Sequence, residues 1–346
     1  MNGGMTMGNK PGVRHYFAEG LTSRGYISLL PNMMPNWSKI YVLLGGAGSG
    51  KSTMLKMLGL DLLDRGYEVD FLRSARDPDS IAGFSLPCEG LAAIDICDVA
   101  PFRWRAPGII EKFIDYTVTY DQLKLIKVKS DLLETERNLC QLQLELEDEL
   151  AEQFGSRPKH KPFRNYSSVS WIFNNLQQSD EERISSAAWL KVQTALQTLQ
   201  KSAVTSCFLH GLSSDGWINL APHFLTDFDQ IRLEGEDTSE ALSWILKEAE
   251  LLGQIIEIVL HPLNPDEVVG IAFPKRNLAI WQGNPEVLAE QGLLELPGKL
   301  KETLTRYQHQ KSLLKSFITD AVDFEKLDRL REGLLNQVLR DLEIHS

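Results

Sequence analysis

The feature that most constrains the fold is a glycine-rich run at residues 45–52, set between two segments with different patterns. Residues 40–44 before it form a short apolar run, typical of a buried strand in a parallel sheet. Residues 52–65 after it carry leucines at helical spacing. Two further apolar segments, residues 69–72 and 91–96, complete a strand–helix–strand order. This order predicts an α/β fold with a right-handed crossover and a parallel sheet flanked by helices.

The run matches the pattern G-x-x-x-x-G-K-[ST] of a P-loop, so the predicted fold is of the P-loop NTPase type. Its glycines let backbone amides approach phosphate oxygens, and the helix N-terminus adds partial positive charge. The lysine can reach the β- and γ-phosphates, and the serine hydroxyl can ligate Mg²⁺. We therefore expect ATP and Mg²⁺ as ligands. The predicted binding residues are Gly45, Gly46, Ala47, Gly48, Ser49, Gly50, Lys51, Ser52 and Thr53.

A second magnesium ligand is expected at the end of an apolar strand, and Asp95 has that position. We predict that Ser52 and Asp95 hold the metal, and that Lys51 and Asp95 act in catalysis. Asp98 is the alternative to Asp95.

Residues 77–80, Asp-Pro-Asp-Ser, are expected to form a loop after the second strand, where loops line the ligand crevice. Asp77 and Asp79 could order water, bind a second substrate or touch Mg²⁺. The same residues are equally typical of a turn, in which Ser80 could cap a helix. Arginines near predicted strand ends are candidates for an arginine finger. They are Arg73, Arg76, Arg103 and Arg105.

The sequence also repeats itself. Residues 17–27 align with 208–218 at an offset of 191, and Asp77-Pro78-Asp79 aligns with Asn264-Pro265-Asp266 at an offset of 187. The four residues that are lost fall in the interval of the glycine-rich run. There the second copy has no lysine and several acids, which would repel a triphosphate. The repeat predicts an internal duplication whose second nucleotide site is degenerate, with Gln282 in place of Asp95.

Each repeat is followed by a predicted helical arm. Residues 121–154 are charged, with Leu125, Val128, Leu132, Thr135, Leu139, Leu142 and Leu146 at coiled-coil a and d positions. Residues 155–162 interrupt this helix, and residues 180–200 could return as a hairpin. The predicted organisation is a flexible leader (1–13), repeat 1 (14–110), a helical arm (111–202), repeat 2 (203–285) and a C-terminal helical arm (286–346). The arms are either structural, or docking or lid elements.

Composition narrows the setting. A net charge of −11 argues against general nucleic-acid binding. No apolar run approaches the roughly 20 residues of a membrane helix, and the N-terminus lacks the apolar core of a signal peptide, so we expect a cytoplasmic protein. The four scattered cysteines contain no C-x-x-C pair. The expected partners are a nucleoside triphosphate and proteins that bind the arms.

The chain resembles the duplicated P-loop ATPases of Gram-positive and related bacteria. Besides the P-loop, the resemblance rests on the motifs His15-x-Phe17, Gly20, Thr22, Gly25, Asp77-Pro78-Asp79-Ser80, Ala100-Pro101, Pro107-Gly108 and Asp323-Phe324-Glu325. It implies two tandem P-loop repeats, each with a helical arm, and ATP binding. The chain departs from the family in lacking the second P-loop, and in having Phe102 where a histidine commonly follows Ala-Pro.

Together these features predict an Mg²⁺-dependent ATPase with one active and one degenerate site. Two alternatives stay open. A small-molecule or nucleotide kinase would need an acceptor pocket and a closing arm. A non-enzymatic adaptor would use ATP to bias a conformational equilibrium.

Overall fold

A computed structural model describes residues 12–74, 77–96, 104–154, 204–214, 216–226, 228–235, 237–283 and 296–345. Within these ranges the chain is a mixed α/β structure with two main sheets, two short hairpins and long helices. No helix in the described ranges has the length and apolar character needed to cross a membrane.

The first main sheet has six strands in the order β1-β5-β6-β7-β4-β8. They are β1 (Val13–Phe17), β4 (Lys39–Leu44), β5 (Val69–Ser74), β6 (Asp77–Leu86), β7 (Leu91–Asp95) and β8 (Glu111–Asp115). The pairs β1/β5, β4/β7 and β4/β8 are parallel, whereas β6 is antiparallel to both of its neighbours. The sheet is therefore mixed, and the predicted parallel sheet is wrong at β6. A two-residue connection after β5 can only make a hairpin, because a parallel return needs a long crossover.

The second main sheet has five strands in the order β12-β15-β14-β13-β9. They are β9 (Val204–Cys207), β12 (Asp229–Leu233), β13 (Ile256–Leu260), β14 (Val268–Phe273) and β15 (Leu278–Gln282). Here β13 pairs in parallel with β9, as β5 does with β1, and β14 is antiparallel to both of its neighbours, β13 and β15. Read from β9, the five strands repeat the order β1-β5-β6-β7-β4 of the first sheet.

The elements between the strands also correspond. The hairpins are β2 (Glu19–Thr22) with β3 (Gly25–Ser28), and β10 (His210–Ser213) with β11 (Gly216–Asn219). Each hairpin is followed by a four-residue helix, α1 (Leu30–Met33) or α5 (Ala221–Phe224). The helices α2 (Lys51–Asp64) and α6 (Thr238–Leu251) each have 14 residues.

The two halves meet through the segments that follow β1 and β9. The backbone amide of Phe17 donates to the carbonyl of Phe208, and Phe208 donates to Phe17, each at 2.9 Å. A Cβ atom on Gly211 would stand only 2.8 Å from the Phe17 ring, so this close packing requires glycine at position 211. One apolar cluster extends across this junction and includes residues of both sheets.

The region predicted as the first arm begins differently. Residues 111–115 form strand β8, so the prediction of a helical arm from residue 111 is wrong at its start. The predicted long helix is divided at Val128 into α3 (Gln122–Lys127) and α4 (Lys129–Phe154). The predicted return helix at residues 180–200 lies outside the described residues.

The C-terminal arm consists of α7 (Gly298–Ala321) and α8 (Phe324–His345). Helix α7 packs antiparallel on α4, with Lys299 near Glu149 and Arg306 near Glu145. All seven predicted seam positions from Leu125 to Leu146 are buried or half-buried. Helix α8 packs against the first sheet and α2, where Leu334, Val338 and Leu342 join that core. The arm that follows the second half therefore returns to the first.

Candidate functional site

The site begins with the loop between β4 and α2. The four central residues of β4, 40–43, are fully buried, which fixes the strand, and α2 begins at Lys51 with Gly50 as its N-cap residue. Gly48 and Gly50 have φ values of +87° and +90°, a region that favours glycine. The first helical hydrogen bond runs from Met54 to Gly50. Ser52 and Thr53 precede that donor, and amides of a first helical turn have no intrahelical acceptor.

Lys51 is folded back into this loop. Its ammonium group donates to the carbonyls of Gly45 and Gly46, each at 2.7 Å, and to Ser49 Oγ at 3.1 Å. The residue is only 3% exposed. A buried ammonium group requires hydrogen-bond acceptors, and the loop supplies them from its own backbone. The ammonium group of Lys51 is therefore held inside the glycine-rich loop by oxygen atoms of that loop.

Asp95 and Ser52, the two predicted metal ligands, both lie beside this loop. Asp95 ends β7, the strand next to β4, and its carboxylate is 3.6 Å from Lys51 Nζ. Ser52 Oγ accepts a hydrogen bond of 2.7 Å from the backbone amide of Ile81 on β6. A hydroxyl keeps a second lone pair when it accepts one hydrogen bond, so this contact orients Ser52 without excluding a ligand.

Residues 77–80 are not a loop after the second strand. They form the first part of β6, next to an irregular stretch of the pairing with β5. Ser80 caps no helix and donates to the Asp77 carboxylate at 2.7 Å. Asp77 also forms an ion pair with Lys315 of α7. Burial raises the pKa of Asp77, but hydrogen bonds from Lys315 and Ser80 outweigh it and hold that pKa below its ordinary value.

The C-terminal half of α7 lies directly on the glycine-rich loop. Thr319 Oγ1 donates to the Gly48 carbonyl at 2.9 Å. A Cβ on Gly48 would stand 2.3 Å from the backbone oxygen of Lys315, so the helix and the loop pack backbone to backbone. From the other side, the Gly46 amide donates to the Tyr120 hydroxyl at 2.8 Å. The first-half loop is therefore contacted by α7 from the arm of the second half and by Tyr120, which follows β8.

The loop, β6, β7 and α7 together line a cleft of about 570 Å³. Its described lining contains four cations and three anions, a net charge of +1 in a chain of net charge −11. The cations are Lys51, Lys56, Lys311 and Lys315, and the anions are Glu19, Asp77 and Asp95. The cleft has the size of a small-molecule site, and its charge favours an anion.

Magnesium fits the donor set at this cleft. Within the described ranges no three His, Cys, Asp or Glu side chains gather as a metal site. Mg²⁺ commonly takes one or two protein oxygens and completes its shell with water and substrate phosphates. The hydroxyl of Ser52 and the carboxylate of Asp95 are oxygen donors of this kind.

Other sequence candidates fall away from the cleft or outside the described residues. Arg105 donates to the Trp37 carbonyl and pairs with Glu111, which commits it to the β8 side of the sheet. Arg73 does not line the cleft. Arg76, Arg103, Asp98 and the side chain of Asp79 lie outside the described residues.

Sequence reasoning missed the residues that α7 brings to the site. Lys311, Lys315 and Thr319 recur every four residues and therefore share one face of the helix. This spacing could be read from the sequence and predicts a polar helix face. It gives no indication that this face packs on a loop more than 260 residues earlier. Glu19 and Tyr120 carried no local pattern at all.

Comparison with known proteins gives no match to this chain among family models, curated proteins or solved structures.

Proposed function

We propose that the chain binds a nucleoside triphosphate, ATP with Mg²⁺, on residues 45–52 and hydrolyses it. One observation carries the proposal: the buried ammonium group of Lys51 sits inside a positive-φ glycine loop at the start of α2, beside Asp95. Loop amides, a helix N-terminus and an ammonium group converge on one point, which is the chemistry that polyphosphate recognition needs.

Each residue then has a role. Lys51 would move its ammonium group from the loop carbonyls to the β- and γ-phosphate oxygens. Ser52 and Asp95 would hold the metal, and bound Mg²⁺ would neutralise charge on the phosphates. Asp77 has a lowered pKa and is therefore a weak proton acceptor. We assign Asp77 to positioning and not to proton abstraction.

We further infer that the chain is an internally duplicated P-loop NTPase fold with one degenerate site. The shared strand order, the two 14-residue helices and the reciprocal Phe17–Phe208 hydrogen bonds support this inference. The same features favour kinship with the duplicated P-loop ATPases that the sequence resembles. The second loop has Thr238 at the helix start, where the first has Lys51.

A second candidate function is an ATP-gated adaptor. The observation that favours it is the packing of α7 against Gly48, because a ligand on the loop would act directly on the arm. Such a protein would bind ATP with little turnover and change the surface that the arm presents.

Isothermal calorimetry with ATP and Mg²⁺ tests binding, with Lys51→Ala as the disabling variant and Asp237→Ala of the second loop as the matched control. We expect Lys51→Ala to weaken binding about 10- to 100-fold, the loss of one or more hydrogen bonds to charged groups. Asp237→Ala should leave binding unchanged. Because Lys51 is buried, circular dichroism must show that the variant is folded, and Ser52→Ala, with reduced Mg²⁺ dependence, provides an independent variant.

Phosphate release with and without a metabolite panel separates the reactions. The ATPase proposal expects phosphate from ATP alone. Transfer of labelled phosphate to a metabolite would favour the kinase over the ATPase. Tight ATP binding without turnover would favour the adaptor. Absence of ATP uptake by the folded wild-type protein with saturating Mg²⁺ would refute the proposed function.

A further inference from the structure

We propose that helix α7 supplies the second part of the phosphate site, with Lys311 and Lys315 binding the terminal phosphate of a triphosphate held on residues 45–52. This inference rests on the proposed function and adds the residues that distinguish a triphosphate from a diphosphate. It assigns the C-terminal arm a direct part in ligand recognition.

The first support is position. Lys311, Lys315 and Thr319 lie on one face of α7, and all three line the cleft. Thr319 and the backbone of Lys315 contact Gly48, which fixes this face of the helix against the loop. The lysines therefore reach the same cleft as the first turn of α2, but from a helix that belongs to the C-terminal arm.

The second support is burial. Lys311 is only 8% exposed, which is unusual for a lysine on the surface of a helix. Lys315 is more accessible, with a side chain 37% exposed. Lys301 on the same helix is exposed, so the burial of Lys311 is specific to its position at the cleft. A buried lysine with a second, more accessible lysine beside it on the wall of a cleft is expected where an anion binds.

The third support is the state of Asp77. Its carboxylate pairs with Lys315, and the charges of Lys315 and Lys311 both favour its ionised form. Asp77 thus occupies the position that an anionic ligand would compete for. A terminal phosphate carries more charge and more acceptor oxygens than one carboxylate, so it should take Lys315 from Asp77. A diphosphate, which is one phosphate shorter, should not.

A purely structural reading makes a different prediction. If the lysines only join the arm to β6 through Asp77, their removal should lower stability and affect ATP and ADP equally. If they bind the terminal phosphate, their removal should affect ATP alone. Replacement of Asp77 separates the readings further, because it removes the same ion pair while leaving both ammonium groups in the cleft.

The experiment measures the affinity of full-length protein for ATP and ADP, each with Mg²⁺, by calorimetry. The variants are Lys311→Ala, Lys315→Ala, Lys315→Arg and Asp77→Asn, with Lys301→Ala as the exposed control on the same helix. We expect each alanine variant of the pair to bind ATP about 10-fold more weakly, as for loss of a charged hydrogen bond. ADP affinity should change less than about 2-fold. Lys315→Arg, which keeps the charge, should retain the preference for ATP, and Asp77→Asn should bind ATP more tightly than wild type.

Hydrogen exchange gives a readout independent of affinity, since ATP but not ADP should increase protection of α7 near Lys315. Equal losses of ATP and ADP affinity in folded Lys311→Ala and Lys315→Ala, or no loss, would overturn this inference while leaving the P-loop site intact. Weaker ATP binding by Asp77→Asn would also count against it. If wild-type protein binds neither nucleotide, the proposed function fails and this inference fails with it.

Discussion

The two halves of the molecule share the order of five strands but differ in the loop that leads into α2 or α6. The loop between β4 and α2 has six residues, 45–50, whereas the loop between β12 and α6 has four, 234–237. On both sides the flanking elements keep their type, and the helices keep their length. Sheet pairing and helix packing therefore maintain the architecture with either loop, whereas the proposed nucleotide site depends on the sequence of the loop itself.

The difference extends to the neighbouring residues. Leu43 of β4 pairs with Asp95, whereas Leu233 of β12 pairs with Gln282. The same strand register thus presents a carboxylate in one half and a neutral amide in the other. The first half carries a charged site, whereas at the aligned positions the second half has Thr238 for Lys51 and Gln282 for Asp95 and keeps an uncharged serine, Ser239, for Ser52.

The first strands of the two halves also differ in charge. Arg14 of β1 pairs in register with Asp70, and Thr205 of β9 pairs in register with Glu257. The Arg14 guanidinium binds both carboxylates, Asp70 at 2.6 and 2.8 Å and Glu257 at 2.7 Å. One cation from the first half therefore compensates an acid from each half.

Arg14→Ala should lower the free energy of unfolding by about 3–5 kcal/mol, because it leaves two buried carboxylates without their cation. Thr205→Ala, the aligned change in the second half, should cost less than about 1 kcal/mol. Urea unfolding at pH 7 measures both. Similar losses from the two variants would show that the junction does not depend on this ion pair.

The loops themselves give the next effect. Gly48→Ala should destabilise the protein by about 2–4 kcal/mol, because alanine is strained at positive φ and its Cβ would meet the Lys315 backbone. It should also displace α7 and weaken ATP binding. Gly235→Ala is the matched change, since Gly235 also has positive φ but open space at its Cβ. It should cost only about 1–2 kcal/mol and leave nucleotide binding unchanged.

Thermal unfolding and calorimetry on the same two variants test this pair. Equal effects on stability would mean that backbone strain alone matters at Gly48. The contact with α7 would then have no energetic importance.

The sequence predicts the glycine-rich loop at residues 45–52 much better than it predicts the helix α7 that packs on that loop. The strand and helix around residues 45–52 follow from local patterns, and β4 and α2 lie within a residue of the predicted limits. The antiparallel β6 was missed because Asp-Pro-Asp-Ser suggests a turn, whereas its pairing with β5 depends on the partner strand. The placement of α7 depends on packing between distant segments, so Lys315 could be recognised as part of a basic stripe but not as a neighbour of Gly48.

His15 gives the smallest of these effects and a dependence on pH. Phe71 pairs in register with His15, and the aligned Ile258 pairs with Ser206, so only the first half has an imidazole here. Burial, together with the nearby charges of Arg73 and His223, lowers the pKa of His15 to about 4. In the unfolded chain the pKa is about 6.5. Between these values the unfolded state binds more protons, so stability is lost as the pH falls from about 7 to 4.

The loss from this residue has an upper bound of about 3 kcal/mol, which its partial exposure reduces. His15→Ser, which copies the second half, should therefore narrow the difference in unfolding free energy between pH 7 and pH 4. His15→Phe should do the same while keeping a ring against Phe71, 5.2 Å from His15 in the wild type. Glu250, whose pKa burial raises to about 7, contributes a dependence of opposite sign, so the measurement compares each variant with wild type at both pH values. An unchanged difference in both variants would show that His15 titrates in the folded protein as it does in the unfolded chain.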